Sequence, residues 1–267
     1  MVLWVILPVS LALVSFLGTW TVYGLALSNK HVCSLTDWGG ENFCRGNYSS
    51  GCCLVPTIST SGRSAPESSL FSATINAGAF LFLLFCIFHH AHILEKHACH
   101  FMLSRVGLAF GVVAAMGAFA AGNCNVICPC FTTLELPVSF LCICFYTTIL
   151  TALTRLCTLS GYERILFPLR VASTVLQIIV TICCILHRGL ILLGFYNHKH
   201  TEVYEVSFQS FTRKRQTPFS VFEWMLSVNL QLFELSFAVE FCFFSSFMLA
   251  NIFGKQEDEK PLMLTMS

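Results

Sequence analysis

Six stretches of the chain are apolar for long enough to cross a bilayer as helices, at about residues 3–27, 70–90, 103–122, 136–155, 168–192 and 224–252. A hydrocarbon core of about 30 Å takes about 20 residues at a rise of about 1.5 Å each, and peptide groups in lipid must pair within their own segment. The pattern predicts an all-α polytopic membrane protein. A six-helix transmembrane bundle occupies residues 1–254, with a large first loop at 28–69 and a short tail at 255–267. The first stretch has no charge, and Pro8 lies near its start, where a helix tolerates it. Its apolar run exceeds the roughly 7–15 residues of a signal-peptide core and no basic region precedes it, so it reads as a retained helix despite the small residues of Ala26-Leu27-Ser28. The third stretch carries Gly107, Gly111, Ala114, Ala115, Gly117 and Ala118, small residues that let helices approach closely in lipid. In the fifth, His187 and Arg188 interrupt the run, and Arg188 is expected to snorkel toward the headgroups.

Composition agrees with this pattern. Of 267 residues, 55% are hydrophobic and only 11% charged, with a mean hydropathy of +0.73, so there is too little charge to cover a water-facing globule. Membrane lipids are the expected surroundings. The net charge of +1 gives no field that would attract nucleic acid.

Charge does not settle orientation. With a cytosolic N-terminus, seven Lys and Arg residues, Arg170 among them, fall inside and eight outside. The first loop decides instead, because it holds the sequon Asn47-Tyr48-Ser49 and the four cysteines Cys33, Cys44, Cys52 and Cys53, which belong on the extracellular or lumenal side. Both termini are then cytosolic.

Those four cysteines allow three pairings, and a disulfide-bonded first loop is expected, stabilising a segment too small for its own core. Cys124, Cys128 and Cys130 in the third loop are further disulfide candidates and only superficially resemble a metal site. His89, His90, His92, His97 and His100, with Cys99, fall in the second loop, where they read as a weakly basic interfacial patch more readily than as a zinc site or pH sensor. Glu234 and Glu240 lie inside the sixth stretch, where a carboxylate is costly unless paired or wet. They are separated by 240° on one continuous helix, while Glu223 and Glu234 share a face. Interhelical hydrogen bonds, for instance to Asn76 or Asn123, are their expected role, with a proton or headgroup pathway as the sharper alternative. No H-E-x-x-H, G-x-S-x-G, P-loop or dinucleotide fingerprint is present, so no catalytic residue, metal or cofactor is assigned and the chain is read as a non-enzyme.

Pro56-Thr57-Ile58-Ser59, Gly62, Pro66-Glu67-Ser68-Ser69-Leu70-Phe71 and Asn76 resemble the signature P-Y-I-S-x-x-G-x-x-x-P-E-x-C-x-F followed by Asn of the transmembrane protein 150 and damage-regulated autophagy modulator family. Gly18 to Tyr23, Gly122-Asn123, Glu223-Trp224 and Val239-Glu240-Phe241 extend the resemblance over most of the chain. Leu7 to Ser10, Trp20 to Tyr23 and His31-Val32-Cys33 are most similar to the A branch. Thr57 replaces the usual Tyr, Ser69 a frequent Cys, Cys124-Asn125 stands where F-Q is common, and the fifth loop, 197–222, with Arg213-Lys214-Arg215, is long.

The resemblance implies six helices, cytosolic termini and a regulatory role at the plasma membrane, endosomes or lysosomes. For the A branch it implies help in localising a phosphatidylinositol 4-kinase complex. For other relatives it implies modulation of autophagy or of a mechanically activated current, so a channel or channel-accessory role is a third hypothesis. Asp258 to Met263 in the tail looks like an acidic dileucine-type sorting signal.

Overall fold

A computed structural model describes residues 3–35, 56–96, 100–124, 131–157, 161–198 and 205–242, with backbone alone for residues 3, 96, 124, 131–137, 187–198 and 205–219. All regular structure among the described residues is helical. After a 3-10 turn at Leu3–Val5 come α1 (Ile6–Ser28), the short α2 (Ile58–Ser61), α3 (Glu67–Lys96), α4 (Phe101–Cys124), α5 (Phe131–Leu156), α6 (Glu163–His198), α7 (Glu205–Leu235) and α8 (Ala238–Cys242). Six segments are long and apolar enough to cross a membrane: Ile6–Ser28, Glu67–Glu95, Phe101–Asn123, Val138–Leu156, Glu163–Leu186 and Ser220–Cys242. The protein is therefore a multi-pass α-helical membrane protein.

The six long helices form a closed ring. Each packs on its neighbour in the order α1, α3, α4, α5, α6, α7, and α7 returns to α1. Because the number of crossings is even, α8 meets the 3-10 turn at the start of the described chain. This is called the terminal end of the ring; the opposite end, covered by α2, is the cap end. Lipid replaces water around the outside, so large apolar side chains such as Phe80, Met116, Ile179 and Leu232 remain exposed on the ring's outer face.

Small residues set the closest crossings. A side chain at Gly18 would collide with Thr74 across the α1–α3 contact, and one at Gly111 would place its Cβ 2.6 Å from Cys86 Sγ. Dispersion and interhelical hydrogen bonds, not water exclusion, hold such contacts together in lipid. The terminal half of the ring is filled by Leu7, Leu11, Phe85, Tyr146, Phe233, Phe237 and Phe241. Phe85 stacks on Phe241 at a centroid distance of 5.4 Å and meets Phe237 edge-on at 5.5 Å.

Several boundaries differ from those read along the sequence. Helix α3 runs to Lys96, so His89, His90 and His92 are helical and not in a loop. Helix α7 begins at Glu205, so much of 197–222 is helical as well. The sixth crossing is not one continuous helix, because Ser236 and Phe237 form a turn between α7 and α8. Asn47, Cys44, Cys52, Cys53, Cys128, Cys130, His97, Cys99 and the tail 255–267 lie outside the described residues, as do the side chains of Cys124 and Arg188. Cys33 is described and half-buried.

Candidate functional site

At the cap end, the motif residues Pro56 to Phe71 fold over the helix ends. Thr57 caps α2: its hydroxyl accepts from the Thr60 amide at 2.9 Å, and the Thr60 hydroxyl accepts from the Thr57 amide at 2.9 Å. A tyrosine at position 57 could not supply that short-range cap. The Pro56 carbonyl accepts from Trp224 Nε1 at 2.8 Å and from Ser220 Oγ at 2.8 Å, and the Ser59 amide donates to Glu223 Oε1 at 3.1 Å. Trp20 and Tyr23 of α1 pack on Trp224 in an aromatic cluster at the cap end, and such residues are enriched at membrane interfaces. Glu67 opens α3, where the helix dipole favours an acid. It is fully buried and accepts from Asn29 Nδ2 at 2.6 Å and is paired with His31 Nδ1 at 2.9 Å. Gly62 is required because a Cβ there would lie 2.6 Å from Phe71 Cβ.

Asn76 and Asn123 are brought together by the α3–α4 crossing. Their amides exchange bonds of 3.1 and 2.9 Å, and Ser72 Oγ donates to the Gly122 carbonyl at 2.6 Å. The expectation that one of them meets Glu234 or Glu240 is therefore corrected: each amide satisfies the other, and Glu240 turns elsewhere.

Glu240 pairs with Arg170 in the terminal half of the ring. Arg170 is 0% and Glu240 1% exposed. Arg170 Nη1 donates to Glu240 Oε1 and, at 2.6 Å, to Thr154 Oγ1; Nε donates to Ser236 Oγ at 3.0 Å and Nη2 to the Ser236 carbonyl at 3.1 Å. The guanidinium carbon also lies 3.4 Å from the Phe237 ring centroid. His89 Nε2 stands 3.7 Å from Glu240 Oε2 on the far side. The turn at Ser236 and Phe237 is what makes this possible, since it frees a carbonyl for the guanidinium and rotates Glu240 off the register of α7. Counting Arg170 with the loop charges missed this site. Its only sequence signal is a cation two residues after Pro168 in an otherwise apolar run, with a carboxylate in another such run to answer it.

A second polar ladder joins α5, α6 and α7. Asn229 Nδ2 donates to Gln177 Oε1 at 2.8 Å and to the Ser173 carbonyl at 3.0 Å, and Thr151 meets Thr174 at 2.8 Å. Of the histidines, His89 and His92 are buried, and His90 Nδ1 lies 2.7 Å from Ser104 Oγ. Among the described residues no group of three His, Cys, Asp or Glu side chains could hold a metal ion.

The family described as Frag1/DRAM/Sfk1/Cwh43P N-terminal domain matches residues 3–243, which takes in all six spans and both polar ends of the ring. The chain belongs to this family. It is 29% identical to human transmembrane protein 150A over 255 residues, covering 90% of this chain and 84% of that protein. Against mouse transmembrane protein 150A it is 37% identical over 134 residues, 47% of this chain and 49% of that protein. The modulator of macroautophagy TMEM150B of Xenopus tropicalis is 32% identical over 120 residues, 45% of this chain and 44% of that protein. These relatives are named as transmembrane proteins or modulators and not as enzymes. No solved structure matches the chain.

Proposed function

We propose that this protein is a non-enzymatic regulator that helps localise phosphatidylinositol 4-kinase machinery at the plasma membrane and so tunes phosphoinositide levels. The observation that carries this reading is the similarity to human transmembrane protein 150A, which spans 90% of the chain and thus the whole ring instead of one motif. The A-branch residues in α1 and after it point the same way. Buried charge in the ring supports a scaffold: Arg170 and Glu240 neutralise each other and fix the helices around them. In this reading both termini are cytosolic, the first loop is extracellular and disulfide-bonded, and the kinase complex meets the terminal end and the tail.

Deleting the protein while imaging phosphatidylinositol 4-phosphate tests the proposal. The kinase should leave the plasma membrane and lipid recovery after depletion should slow; unchanged kinase position and recovery would sink it. A second reading, modulation of autophagy in endosomal or lysosomal membranes, is favoured by the relatives named modulator of macroautophagy TMEM150B and by the sorting-like segment Asp258 to Met263. Normal autophagic flux on both deletion and overexpression would count against it.

A further inference from the structure

The ring is solid in its terminal half and hollow in its cap half. A cavity of about 230 Å³ lies on its axis, with Ile58 and Ser59 of α2 at the roof and Leu11, Phe82 and Glu234 at the floor. One face of α7 runs along it. Glu223, Ser227, Gln231 and Glu234 fall at i, i+4, i+8 and i+11, so they line one stripe, and the two carboxylates are about 16 Å apart along the axis. Small residues of α3 and α4, among them Gly78, Ala79, Ala114 and Ala118, line the void and leave space beside Phe71, Ile75 and Phe82.

Glu234 distinguishes this cavity from a packing defect. The residue is 3% exposed, lines the void, and makes no hydrogen bond or ion pair among the described residues. Its polar neighbours are engaged: Gln231 Nε2 donates to Ser227 Oγ at 3.2 Å, Gln177 Oε1 accepts from Asn229, and Glu223 holds the Ser59 amide. An acid at this depth costs several kcal/mol unless a donor or counter-charge meets it. The Tyr146 hydroxyl and the Cys86 thiol also stand near it, with no hydrogen bond to it, and the remaining wall is largely apolar, so a ligand that fills the apolar space and brings a donor of its own would satisfy it. The volume exceeds by about half the ~150 Å³ of an apolar cavity that holds benzene, so it takes a short chain or the head-proximal part of a longer one that continues out past the cap, and not two acyl chains with a phosphodiester head.

We infer that the cavity binds a single-chain amphiphile whose hydrogen-bond-donating head, an amine or hydroxyl, meets Glu234 while its chain lies along the apolar walls toward the cap. A carboxylate head is disfavoured, because when ionised it has no hydrogen to donate. The inference requires neither the kinase nor the autophagy reading.

Full-length protein in nanodiscs, exposed to photoreactive, alkyne-tagged sphingosine, provides the test. Labelling should saturate and map to peptides that line the cavity on α3, α4 or α7. Unlabelled sphingosine and a fatty alcohol of equal length should compete, whereas a fatty acid of that length should compete at least about tenfold less well. Glu234→Gln, which keeps the shape and removes the acid, should weaken sphingosine labelling about tenfold with a thermal midpoint no lower than that of the native protein. If that variant does not fold, Ala118→Leu, which fills the void and leaves the carboxylate, should abolish labelling. Non-saturable labelling, equal competition by the fatty acid, or full labelling of a folded Glu234→Gln or Ala118→Leu protein would overturn the proposal.

Discussion

Four of the five N–H donors of Arg170 are met inside the bundle, with no water needed. Two hydroxyls, a main-chain carbonyl, a carboxylate and an aromatic face surround it. Such a group is safe in a bilayer only while its partners stay. Removing one member of a buried pair leaves an uncompensated charge at a cost of about 3–5 kcal/mol, while replacing both by apolar groups of similar size is often neutral. Glu240→Leu and Arg170→Met are therefore each expected to lower the thermal midpoint of the solubilised protein strongly, and the double variant to recover most of the loss; additive losses would show that the pair is not coupled. A milder effect belongs to the cap. Trp224→Phe removes the indole N–H that meets the Pro56 carbonyl, a bond worth about 1 kcal/mol, and keeps most of the packing. Faster limited proteolysis of the first loop, with little change in the midpoint, is the expected outcome. At this scale the sequence was partly legible. Glu234 and Glu240 stood out because acids are rare in apolar runs, and Glu67, Gly62 and Phe71 stood out through the family signature. Arg170 did not, because its value depends on a residue 70 positions away.

Among the elements, the contact between α1 and α3 is set by Gly18 against Thr74. Gly18→Ala drives a methyl into the Thr74 side chain, and overpacking of this kind costs about 1–3 kcal/mol. Pairing it with Thr74→Ala should restore much of the stability, as read by the melting midpoint in detergent; no rescue would show that another contact fixes the spacing. Helix existence followed directly from the apolar runs, since a segment in lipid has no other way to satisfy its peptide groups. Helix ends were less legible. The histidines after Phe88 are polar and read as loop, yet α3 continues to Lys96 because His89 faces Glu240 and His90 faces Ser104 inside the bundle. The break between α7 and α8 carries no Pro or Gly to announce it. Its freed Ser236 carbonyl is taken up by Arg170, so the turn belongs to a tertiary contact and not to local propensity.

For the whole molecule, an even number of crossings puts both described chain ends on one face of the ring, and only the first loop offers a marker for the other face. If that loop is extracellular, endoglycosidase treatment should shift the protein's mobility, and Asn47→Gln should remove the shift; an unchanged band in the native protein would reopen the orientation. By itself the sequence determined the class of solvent, the number of crossings and the family, because each rests on properties that add along the chain: apolar length, scarcity of charge and local motifs. The tertiary structure decided which helices touch, that they close into a ring, that Arg170 answers Glu240, that Asn76 answers Asn123, and that Glu234 is left facing a void. Those are relations between distant residues, set by how helices rotate and cross, and one-dimensional periodicity carries no information about the rotation of one helix against another.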